Sequence, residues 1–424
     1  MLDIKFIREN PKLVAEKSKQ KGYEIDVEKL LKVDTDRRKL IEEVDQLRSN
    51  RKQAADARDE KKGAQIKSDL KQKENQLENL QEEFYKLIRQ IPNPAKDDVP
   101  IGDEAKKKVI KKVGKLPKFD FKPLDHLQLG IKLDLIDTDR ASKISGSRFV
   151  FLKNELVDLE FALTSYVFDK LKQVEFIPII PPVLINKKAM QGLGYPEYES
   201  GEGYRVDDHF LVGTAEHSVV PMHMDETFNQ SDLPKRYAAF STAFRREAGS
   251  YGKDTKGIFR VHQFDKVEMV SFTTPEKEDE EHQFLLSLEE KFVSDLGLAY
   301  QVIDIASGDL GFPASRKYDI ETWLPSQNQY RETHSVSTTG DFQARRLNIN
   351  FNWKMPSSTV VQAGRGARIS GGQIVKQYVH ILNGTAFAIG RTLIAIMENY
   401  QQKDGSILIP KVLQKYTGFN KIPA

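Results

Sequence analysis

Two long stretches near the start of the chain repeat apolar side chains every three or four positions. The first covers residues 33–58 and begins at Val33, and the second covers residues 66–91 and begins at Ile66. A narrow stripe with this spacing is typical of a two-helix seam, and the short connection around Gly63 requires antiparallel neighbours. We therefore predict a helical hairpin whose arms have about 26 residues and are roughly 40 Å long.

The narrow seam also bears on how the hairpin is used. With so little apolar surface to bury, it is expected to project into solvent. A spacer or a protein-interaction coil would carry the same pattern, so the pattern alone leaves the function of the hairpin open. Upstream, residues 2–18 predict a short helix, with Asn10 and Pro11 placed as the cap and first-turn residues of a second one.

A proline-rich segment and the run of lysines that follows it divide the chain into three parts. Residues 91–100 (IPNPAKDDVP) read as a boundary, and the basic run that follows has no clear helical period. We therefore expect an N-terminal helical domain over residues 1–105, a linker over residues 106–125 and a larger domain over residues 126–424.

The larger domain mixes amphipathic helices with strand-like segments. Thr273 or Thr274 is expected to cap one helix, which Gly297 ends. The predicted elements are a helix over 155–174 followed by a strand that reaches Pro182, a helix over 276–296, strand character around a polar turn in 330–349, and a strand, a turn at Asn383 and Gly384, and a helix over 388–400.

Residues 240–270 predict two antiparallel strands joined by a long loop, because two segments rich in β-formers flank a glycine-containing centre. Alternation along the second strand places Arg260, Phe264 and Glu268 on one face. A solvated outer face would explain the charges of such a hairpin equally well. The residues to which that simpler interpretation applies are Arg245, Arg246, Glu247 and Lys266.

Composition narrows the class of protein. The 424 residues include 65 basic and 62 acidic ones, so the net charge of +3 neither requires nor excludes a nucleic-acid partner. Charged residues at 30% and hydrophobic ones at 39% are typical of a soluble globular protein. No run approaches the roughly 20 apolar residues of a membrane span. The first residues lack the features of a leader, so we expect a cytoplasmic protein without a membrane partner.

The chain contains no cysteine, which removes disulfides, thiolate nucleophiles and cysteine-ligated zinc from consideration. Its eight histidines show no metal-ligand spacing such as HExxH. Structural roles are therefore expected for His217 and His223 in preference to metal binding.

The sequence of residues 240–270, FSTAFRREAGSYGKDTKGIFRVHQFDKVEMV, closely resembles motif 2 of class II aminoacyl-tRNA synthetases, in the form found in seryl-tRNA synthetases. Residues 126–163 resemble the entry into that family's catalytic domain, and the predicted helix 155–174 with its strand takes the place of motif 1, the dimer element. Residues 212–220 (VGTAEHSVV) contain the family's TAE loop, and residues 380–401 (HILNGTAFAIGRTLIAIMENYQ) resemble motif 3. The resemblance covers essentially the whole chain.

The resemblance implies an α+β fold: a class II synthetase antiparallel β-sheet flanked by helices, with the N-terminal antiparallel helical hairpin as a coiled-coil arm that binds tRNA. It implies a homodimer that uses ATP with Mg²⁺ to ligate L-serine to tRNA(Ser) through a seryl-adenylate. Charging of tRNA(Sec) is left open. A paralogue that loads a carrier protein would not need the arm, and a non-catalytic regulator should have lost a charged site residue.

The same resemblance assigns the nucleotide site. Arg245 aligns with the arginine that holds the α-phosphate and the serine carboxylate, and Arg391 with the one that holds the γ-phosphate; with Glu268 they form the expected catalytic set. Glu332 would hold Mg²⁺ together with the ATP phosphates. The expected ATP-binding residues are Arg245, Arg246, Glu247, Arg260, Phe264 (stacked on adenine), Glu332, Thr333, His334, Ser335 and Arg391.

Serine has an ammonium that needs acceptors, a carboxylate and a hydroxyl. The resemblance implies that the TAE loop and Glu268 bind the ammonium and that Thr385 bonds the hydroxyl. The expected serine-binding residues are Thr214, Ala215, Glu216, Arg245, Glu268, Asn383 and Thr385. No segment resembles an editing domain. The chain departs from the family's usual residues at Thr333 and His334. It also departs at Glu175 and Phe176, where the family usually has glycine followed by an aromatic residue.

Overall fold

A computed structural model describes residues 1–196, 201–247, 254, 256–354, 361–362, 368–369 and 372–424. The chain divides into two compact units, Met1–Pro94 and Ala95–Ala424. None of the helices within the described ranges combines the length and apolar character that a membrane crossing requires.

The α-helices are α1 (Ile4–Glu9), α2 (Pro11–Gln20), α3 (Val27–Asp56), α4 (Glu60–Ile88), α5 (His126–Lys132), α6 (Thr138–Ser145), α7 (Glu155–Lys172), α8 (Lys187–Leu193), α9 (Glu216–Val219), α10 (Glu278–Asp295), α11 (Phe342–Leu347), α12 (Ile389–Tyr400) and α13 (Gln414–Thr417). The strands are β1 (Lys108–Val113), β2 (Ile136–Asp137), β3 (Phe151–Leu152), β4 (Ile177–Ile179), β5 (Leu184–Asn186), β6 (Arg205–Val206), β7 (His209–Leu211), β8 (Thr227–Asn229), β9 (Lys235–Phe244), β10 (Gln263–Thr273), β11 (Tyr300–Asp304), β12 (Arg316–Leu324), β13 (Gln329–Gly340), β14 (Asn350–Lys354), β15 (Val361–Gln362), β16 (Arg368–Ile369), β17 (Ile374–Tyr378), β18 (His380–Ala388), β19 (Ile407–Leu408) and β20 (Lys421–Ile422).

The first unit contains the predicted hairpin, which is confirmed. Helices α3 and α4 have 30 and 29 residues, so each is about 45 Å long. Their seam buries apolar side chains such as Val44 and Leu70. The turn differs from the prediction: Gly63 lies inside α4, and the side chain of Asp59 caps that helix by accepting from the Lys62 N–H at 3.0 Å. An N-terminal cap thus decides where the second arm begins, and a single glycine is tolerated inside it.

Ion pairs join the two arms along their length. Lys73 Nζ lies 2.6 Å from Glu43 Oε2, and Arg48 Nη2 lies 2.8 Å from Glu74 Oε1. Because these groups are exposed, each pair stabilises the hairpin only slightly, by about 1 kcal/mol or less. Their value is to fix which residues of the two arms lie opposite each other.

The second unit is built on an eight-stranded sheet with the order β1-β11-β12-β13-β18-β10-β9-β4. All neighbours are antiparallel except β4, which pairs in parallel with β9 at the edge. The antiparallel sheet flanked by helices confirms the predicted fold class. Motif 2 provides β9 and β10, whose register places Ala239 opposite Glu268. Residues 248–253 and 255 of the predicted long loop lie outside the described residues.

The segment expected to be a linker differs from the prediction. Residues 108–113 form strand β1, which pairs with β11 at the edge of the large sheet, and the boundary between the compact units falls at Pro94. Both faces of β1 are almost entirely exposed. Its pairing therefore depends on backbone hydrogen bonds. Because neither face is buried, the sequence of β1 shows no hydrophobic alternation that would predict a strand.

The turn predicted at Asn383 and Gly384 is wrong. Strand β18 continues through both residues, because β10 and β13 pair with it on either side: Gly384 lies opposite Met269 and Val336. Asn-Gly is a local turn signal, and here two ladders override it. The helix after this strand begins at Ile389, close to the predicted position. In the predicted strand region 330–349, strand β13 is followed by a helix, α11.

Helices α7, α10 and α12 pack on one face of the sheet. Alternation along β10 directs Val267 and Met269 into this fully buried core. The intervening side chains, Lys266 and Glu268, point to the opposite face. That opposite face is the surface on which the charged residues of motif 2 assemble.

Candidate active site

The face of the sheet opposite these helices contains an open cavity of about 600 Å³, counting the part that is open to solvent. Its walls come from the two ends of the motif 2 hairpin, from β13 and from the junction of β18 with α12. Of the residues predicted to bind substrates, those that line it are Arg245, Glu247, Arg260, Phe264, Glu332, Thr333, Ser335, Thr385 and Arg391.

Arg245 follows directly after β9 and is held at the cavity wall. Its backbone N–H donates to the His262 carbonyl oxygen at 3.0 Å, which ties the two ends of the hairpin loop together. Its side-chain Nε donates to the carbonyl oxygen of Gly213 at 3.1 Å, and its guanidinium lies 5.4 Å from the centre of the Phe264 ring. These contacts place a permanent positive charge beside an aromatic face.

Arg391 lies in the first turn of α12 and faces Glu332 on β13. Arg391 Nη1 is 3.2 Å from Glu332 Oε1 and donates to the Glu332 carbonyl oxygen at 3.2 Å, while its guanidinium lies 4.9 Å from the Phe259 ring centre. Burial raises the pKa of Glu332, but the positive charges of Arg391, Lys317 and Arg245 outweigh this effect and lower the pKa to about 2. The site therefore holds an ionised carboxylate among guanidinium groups.

A second ion pair lies on the loop side of the cavity, where Arg260 Nη1 is 2.6 Å from Glu247 Oε2. The structure changes one prediction here, because β10 begins at Gln263 and Arg260 belongs to the preceding loop. Arg260 and Phe264 still line one cavity, but the reason is the course of the loop and not alternation along a strand. Glu268 lies deeper, in the sheet.

Next to the cavity, three predicted or neighbouring polar groups form a buried cluster. Glu268 is 2% exposed and is paired with the ammonium of Lys266, which also lies 3.3 Å from Thr214 Oγ1. Burial raises the pKa of Glu268, while Lys266 and Arg245 act in the opposite direction. Across the ladder, Thr385 stands directly opposite Glu268.

Glu216 of the TAE loop is equally buried, at 2% exposure. It accepts hydrogen bonds from Gln343 Nε2 at 2.8 Å and from the Tyr195 hydroxyl at 3.1 Å. Burial raises its pKa to about 7, and the charge of Glu268 adds to this effect. The next residue, His217, is neutral: burial lowers its pKa to about 3, and its Nδ1 accepts from the Gly213 N–H at 3.2 Å.

The remaining wall comes from β13 and β18. Thr385 Oγ1 lies 3.5 Å from Ser335 Oγ, and both residues line the cavity. Asn383 is two positions earlier on the same strand and is 8% exposed. Ala215 is fully buried beside Thr214 in the TAE loop.

Two residues predicted to bind ATP do not line the cavity. Arg246 is exposed, and its guanidinium lies 5.6 Å from the Tyr204 ring centre. His334 is buried: its Nδ1 lies 2.9 Å from Thr333 Oγ1 and its ring packs on Phe387 at 5.7 Å. Burial lowers the pKa of His334 to about 3, so the ring is neutral. Their roles stay predictions, and any role of His334 would have to use its backbone.

Several residues of the site were missed from the sequence. Lys266 was given only the interpretation of a solvated charge, although it lies two positions before Glu268 and therefore on the same face of the strand. No pattern in the sequence marked Phe259, which stacks under Arg391, as a residue of the site. Tyr195, in the segment after α8, and Gln343, on α11, both reach Glu216, and no local signal links them to it.

Comparisons with known proteins agree with this geometry. Residues 1–95 match the model of the seryl-tRNA synthetase N-terminal domain, and residues 202–375 match that of the tRNA synthetase class II core domain (G, H, P, S and T). Over its full length the chain is 42% identical to the serine–tRNA ligase of Dictyoglomus thermophilum and 40% identical to that of Dictyoglomus turgidum, and it covers 99% of each. The chain belongs to the seryl-tRNA synthetase family.

Solved structures of seryl-tRNA synthetases share the whole fold. The Pyrococcus horikoshii enzyme, complexed with ATP, superposes with a TM-score of 0.89 at 37% identity, and each chain is covered completely. The cytoplasmic serine–tRNA ligase of Naegleria fowleri, in complex with AMP, gives a TM-score of 0.86 at 31% identity, covering 100% of this chain and 99% of that one. The resemblance in motif 2 is thereby confirmed, and the chain is an aminoacyl-tRNA synthetase by family.

Glu332 is the residue predicted to hold Mg²⁺. Within the described ranges, no group of three or more His, Cys, Asp or Glu side chains is arranged to hold a metal ion. One carboxylate nevertheless fits magnesium, which in nucleotide sites uses one or two carboxylates and completes its shell with phosphates and water. The Glu332 side chain is 43% exposed, so it remains accessible from the cavity that it lines.

Proposed function

We propose that this chain ligates L-serine to tRNA(Ser) with ATP, through a seryl-adenylate. The observation that carries the proposal is the cavity in which Arg245, Arg391 and Glu332 meet beside the buried cluster of Lys266 and Glu268. Guanidinium groups suit a triphosphate, and a buried carboxylate suits an ammonium. The ligase names and the nucleotide complexes of the relatives support the same assignment.

In this proposal ATP occupies the larger cavity. Arg245 holds the α-phosphate and the serine carboxylate, and Arg391 holds the γ-phosphate. The adenine stacks on Phe264, and Arg260 and Glu247 close the loop side. Mg²⁺ held by Glu332 would neutralise phosphate charge when it is bound. Such a site accelerates phosphoryl chemistry mainly by positioning and by charge stabilisation.

Serine occupies the deeper part of the site. Its ammonium donates to Glu268, Thr214 and Glu216, and its hydroxyl bonds to Thr385. Lys266 belongs to this set, because it keeps Glu268 compensated when serine is absent. A site that hydrogen-bonds a hydroxyl discriminates strongly against alanine, by a factor on the order of 10⁴, since buried polar groups would stay unpaired.

The first step is attack of a serine carboxylate oxygen on the α-phosphorus. A new P–O bond forms, the bond to the β-phosphate breaks, and pyrophosphate leaves with the electron pair. In the second step a terminal hydroxyl of the tRNA attacks the seryl carbonyl carbon, its proton is released, and AMP leaves. The chain's own residues bind and orient the reactants in both steps.

Partners follow from the same assignment. The hairpin of α3 and α4 would bind tRNA through its phosphates and shape, which predicts a salt-dependent affinity. A homodimer would form on α7 and on β4 with the residue that follows it, where Phe161 is 64% and Ile180 80% exposed. Charging of tRNA(Sec) would use the same arm. The cytoplasm is the proposed compartment.

The experiment that tests this function separates activation from transfer. Exchange of labelled pyrophosphate into ATP is measured with and without serine, alongside charging of total tRNA. A variant that lacks residues 49–73 and joins Arg48 to Glu74 through two glycines shortens the arm at a level where these side chains already pair. We expect serine-dependent exchange in both proteins and charging in the intact one alone. Exchange without charging by the intact protein would favour a carrier-loading enzyme.

A further inference from the structure

Glu289 is a fully buried carboxyl group on α10, directly under the sheet. Its exposure is 0%, and within the described part of the chain no side chain is hydrogen-bonded to its carboxyl oxygens; the polar group that meets the carboxyl is the Thr385 backbone N–H. Buried polar groups are normally paired, and an apolar side chain could fill the same volume without the cost of desolvating a carboxyl. The group therefore calls for an explanation other than packing.

The position of Glu289 connects it with the floor of the proposed serine pocket. Gly384 lies between Asn383 and Thr385 on β18, and its free side faces α10. A Cβ atom built on Gly384 would lie 3.0 Å from Glu289 Oε1 and 3.2 Å from Met269 Cε. The carboxyl of Glu289 thus reaches almost to the backbone of the strand that carries the pocket wall.

The charge state follows from the surroundings. Burial holds the pKa of Glu289 well above its usual range, and the charges of Glu268 on β10 and Asp319 on β12 add to this. Lys266 and the Thr385 backbone N–H act in the opposite direction. These surroundings favour the neutral, protonated form of the Glu289 carboxyl.

Immediately after Gly384, β18 is paired on one side only, with β10. Its pairing with β13 ends at the pair of Val336 and Gly384, and its ladder with β10 is irregular next to Thr385: Glu268 pairs with Thr385, while Val267 pairs with Phe387. A bulged strand beyond the end of one ladder needs support from another direction to keep a fixed position. Glu289 lies where such support is required.

We propose that Glu289 is a positioning residue of the amino-acid pocket. It contacts Gly384 from the α10 side of the sheet and thereby fixes the position of Thr385. In that position the pocket accommodates the hydroxyl of serine but not the extra methyl group of threonine. This inference rests on the proposed function. Without the carboxyl, the floor can sink into the space left beneath it, the contact to serine loosens and the pocket accepts a larger side chain.

The test compares Glu289→Ala with Glu289→Gln in the intact chain. Amino-acid-dependent exchange of pyrophosphate into ATP is measured with serine and with threonine. We expect Glu289→Ala to raise the KM for serine and to reduce the preference for serine over threonine, each by about tenfold, because one methyl group is discriminated by roughly this amount. The KM for ATP should stay within about twofold of the unmodified protein. Glu289→Gln keeps the volume and neutrality and should restore both properties.

A matched control separates this role from general weakening of the helix. Val293 is one turn further along α10 and is equally buried, so Val293→Ala also removes core volume. It should lower the melting temperature and leave the preference for serine unchanged. If Val293→Ala reproduces the loss, or if Glu289→Ala keeps the preference, the inference is overturned.

If Glu289→Ala does not fold, Glu289→Asp carries the test. It keeps the carboxyl but withdraws it from Gly384 by one methylene, so the preference for serine should still fall by several-fold; an unchanged preference rejects the inference. The proposed function and the positioning role are contradicted by different results. Absence of serine-dependent exchange in the unmodified protein contradicts the proposed function, whereas normal exchange with an insensitive Glu289 contradicts only the positioning role.

Discussion

Lys266 and Glu268 form an ion pair on one face of β10, both with less than a tenth of their surface exposed. Because neither charge is solvated, each depends on the other. Lys266→Met removes the ammonium and keeps most of the length. We expect the free energy of unfolding to fall by about 3–5 kcal/mol, since an uncompensated carboxylate remains buried, and the KM for serine to rise.

A double variant distinguishes this coupling from simple loss of packing. Lys266→Met combined with Glu268→Gln removes both charges and should recover much of the stability lost by the single change. Urea unfolding monitored by circular dichroism gives the free energies. Losses that simply add would show that the two side chains act independently, contrary to the prediction.

The pKa of Glu216, raised to about 7, predicts how stability depends on pH. Below the ordinary value of about 4.5, the carboxyl is protonated in both the folded and the unfolded chain. Between that value and pH 7 the unfolded chain has released the proton and the folded chain still holds it, so this group's contribution to stability falls as pH rises. Above pH 7 the penalty is constant, on the order of 3 kcal/mol.

Glu216→Gln removes this penalty while an amide oxygen can still accept from Gln343. The variant should therefore gain stability relative to the unmodified chain as pH rises from 4.5 to 7.5, measured by thermal unfolding at several pH values. Its KM for serine should nevertheless increase, because the ammonium loses an acceptor. A stability difference that does not change with pH would show that folding does not raise the pKa of Glu216.

Arg391 and Arg331 both stack on the Phe259 ring, at 4.9 and 4.1 Å, but only Arg391 lines the cavity. We expect Arg391→Ala to reduce the rate of ATP–pyrophosphate exchange by a factor on the order of 10² to 10³, the usual effect of removing one group that stabilises developing charge. Arg331→Ala removes a similar stacking contact and should cost less than about tenfold. Similar losses in both variants would assign the effect to Phe259 and not to the phosphates.

The sequence predicted those parts of the molecule that depend on local pattern. The hairpin of α3 and α4 follows from a heptad-like stripe, and the motif 2 strands follow from β-formers on either side of glycines. The positions of Arg245, Phe264 and Glu332 at one cavity follow from family motifs, which record an arrangement that spacing alone does not reveal.

The remainder depends on contacts between distant segments. The turn predicted at Asn383 and Gly384 failed because two neighbouring strands pair with β18 at that point. Gln343 and Glu216 are 127 positions apart in sequence, so no window of sequence shows that one donates to the other. Glu289 reads as one more acidic residue of an amphipathic helix until its burial under Gly384 is known.

Glu175 stands where the resemblance to the family leads us to expect glycine, and its backbone conformation is one that suits glycine. Its φ angle is +65°, in the left-handed region, where a residue with a Cβ is strained. The side chain is exposed, and in the described part of the chain its carboxylate makes no hydrogen bond or ion pair. Glu175→Gly should therefore raise the free energy of unfolding by up to about 1 kcal/mol, which thermal unfolding can measure.

Asp225 provides the matched control, because its φ angle is +64° but its carboxylate accepts from Asn348 Nδ2 at 3.1 Å and lies 3.4 Å from Lys188 Nζ. In Asp225→Gly the relief of backbone strain is offset by the loss of these contacts, so no gain is expected. If Glu175→Gly also fails to stabilise the chain, the positive φ angle at this position does not strain the folded backbone, contrary to the prediction.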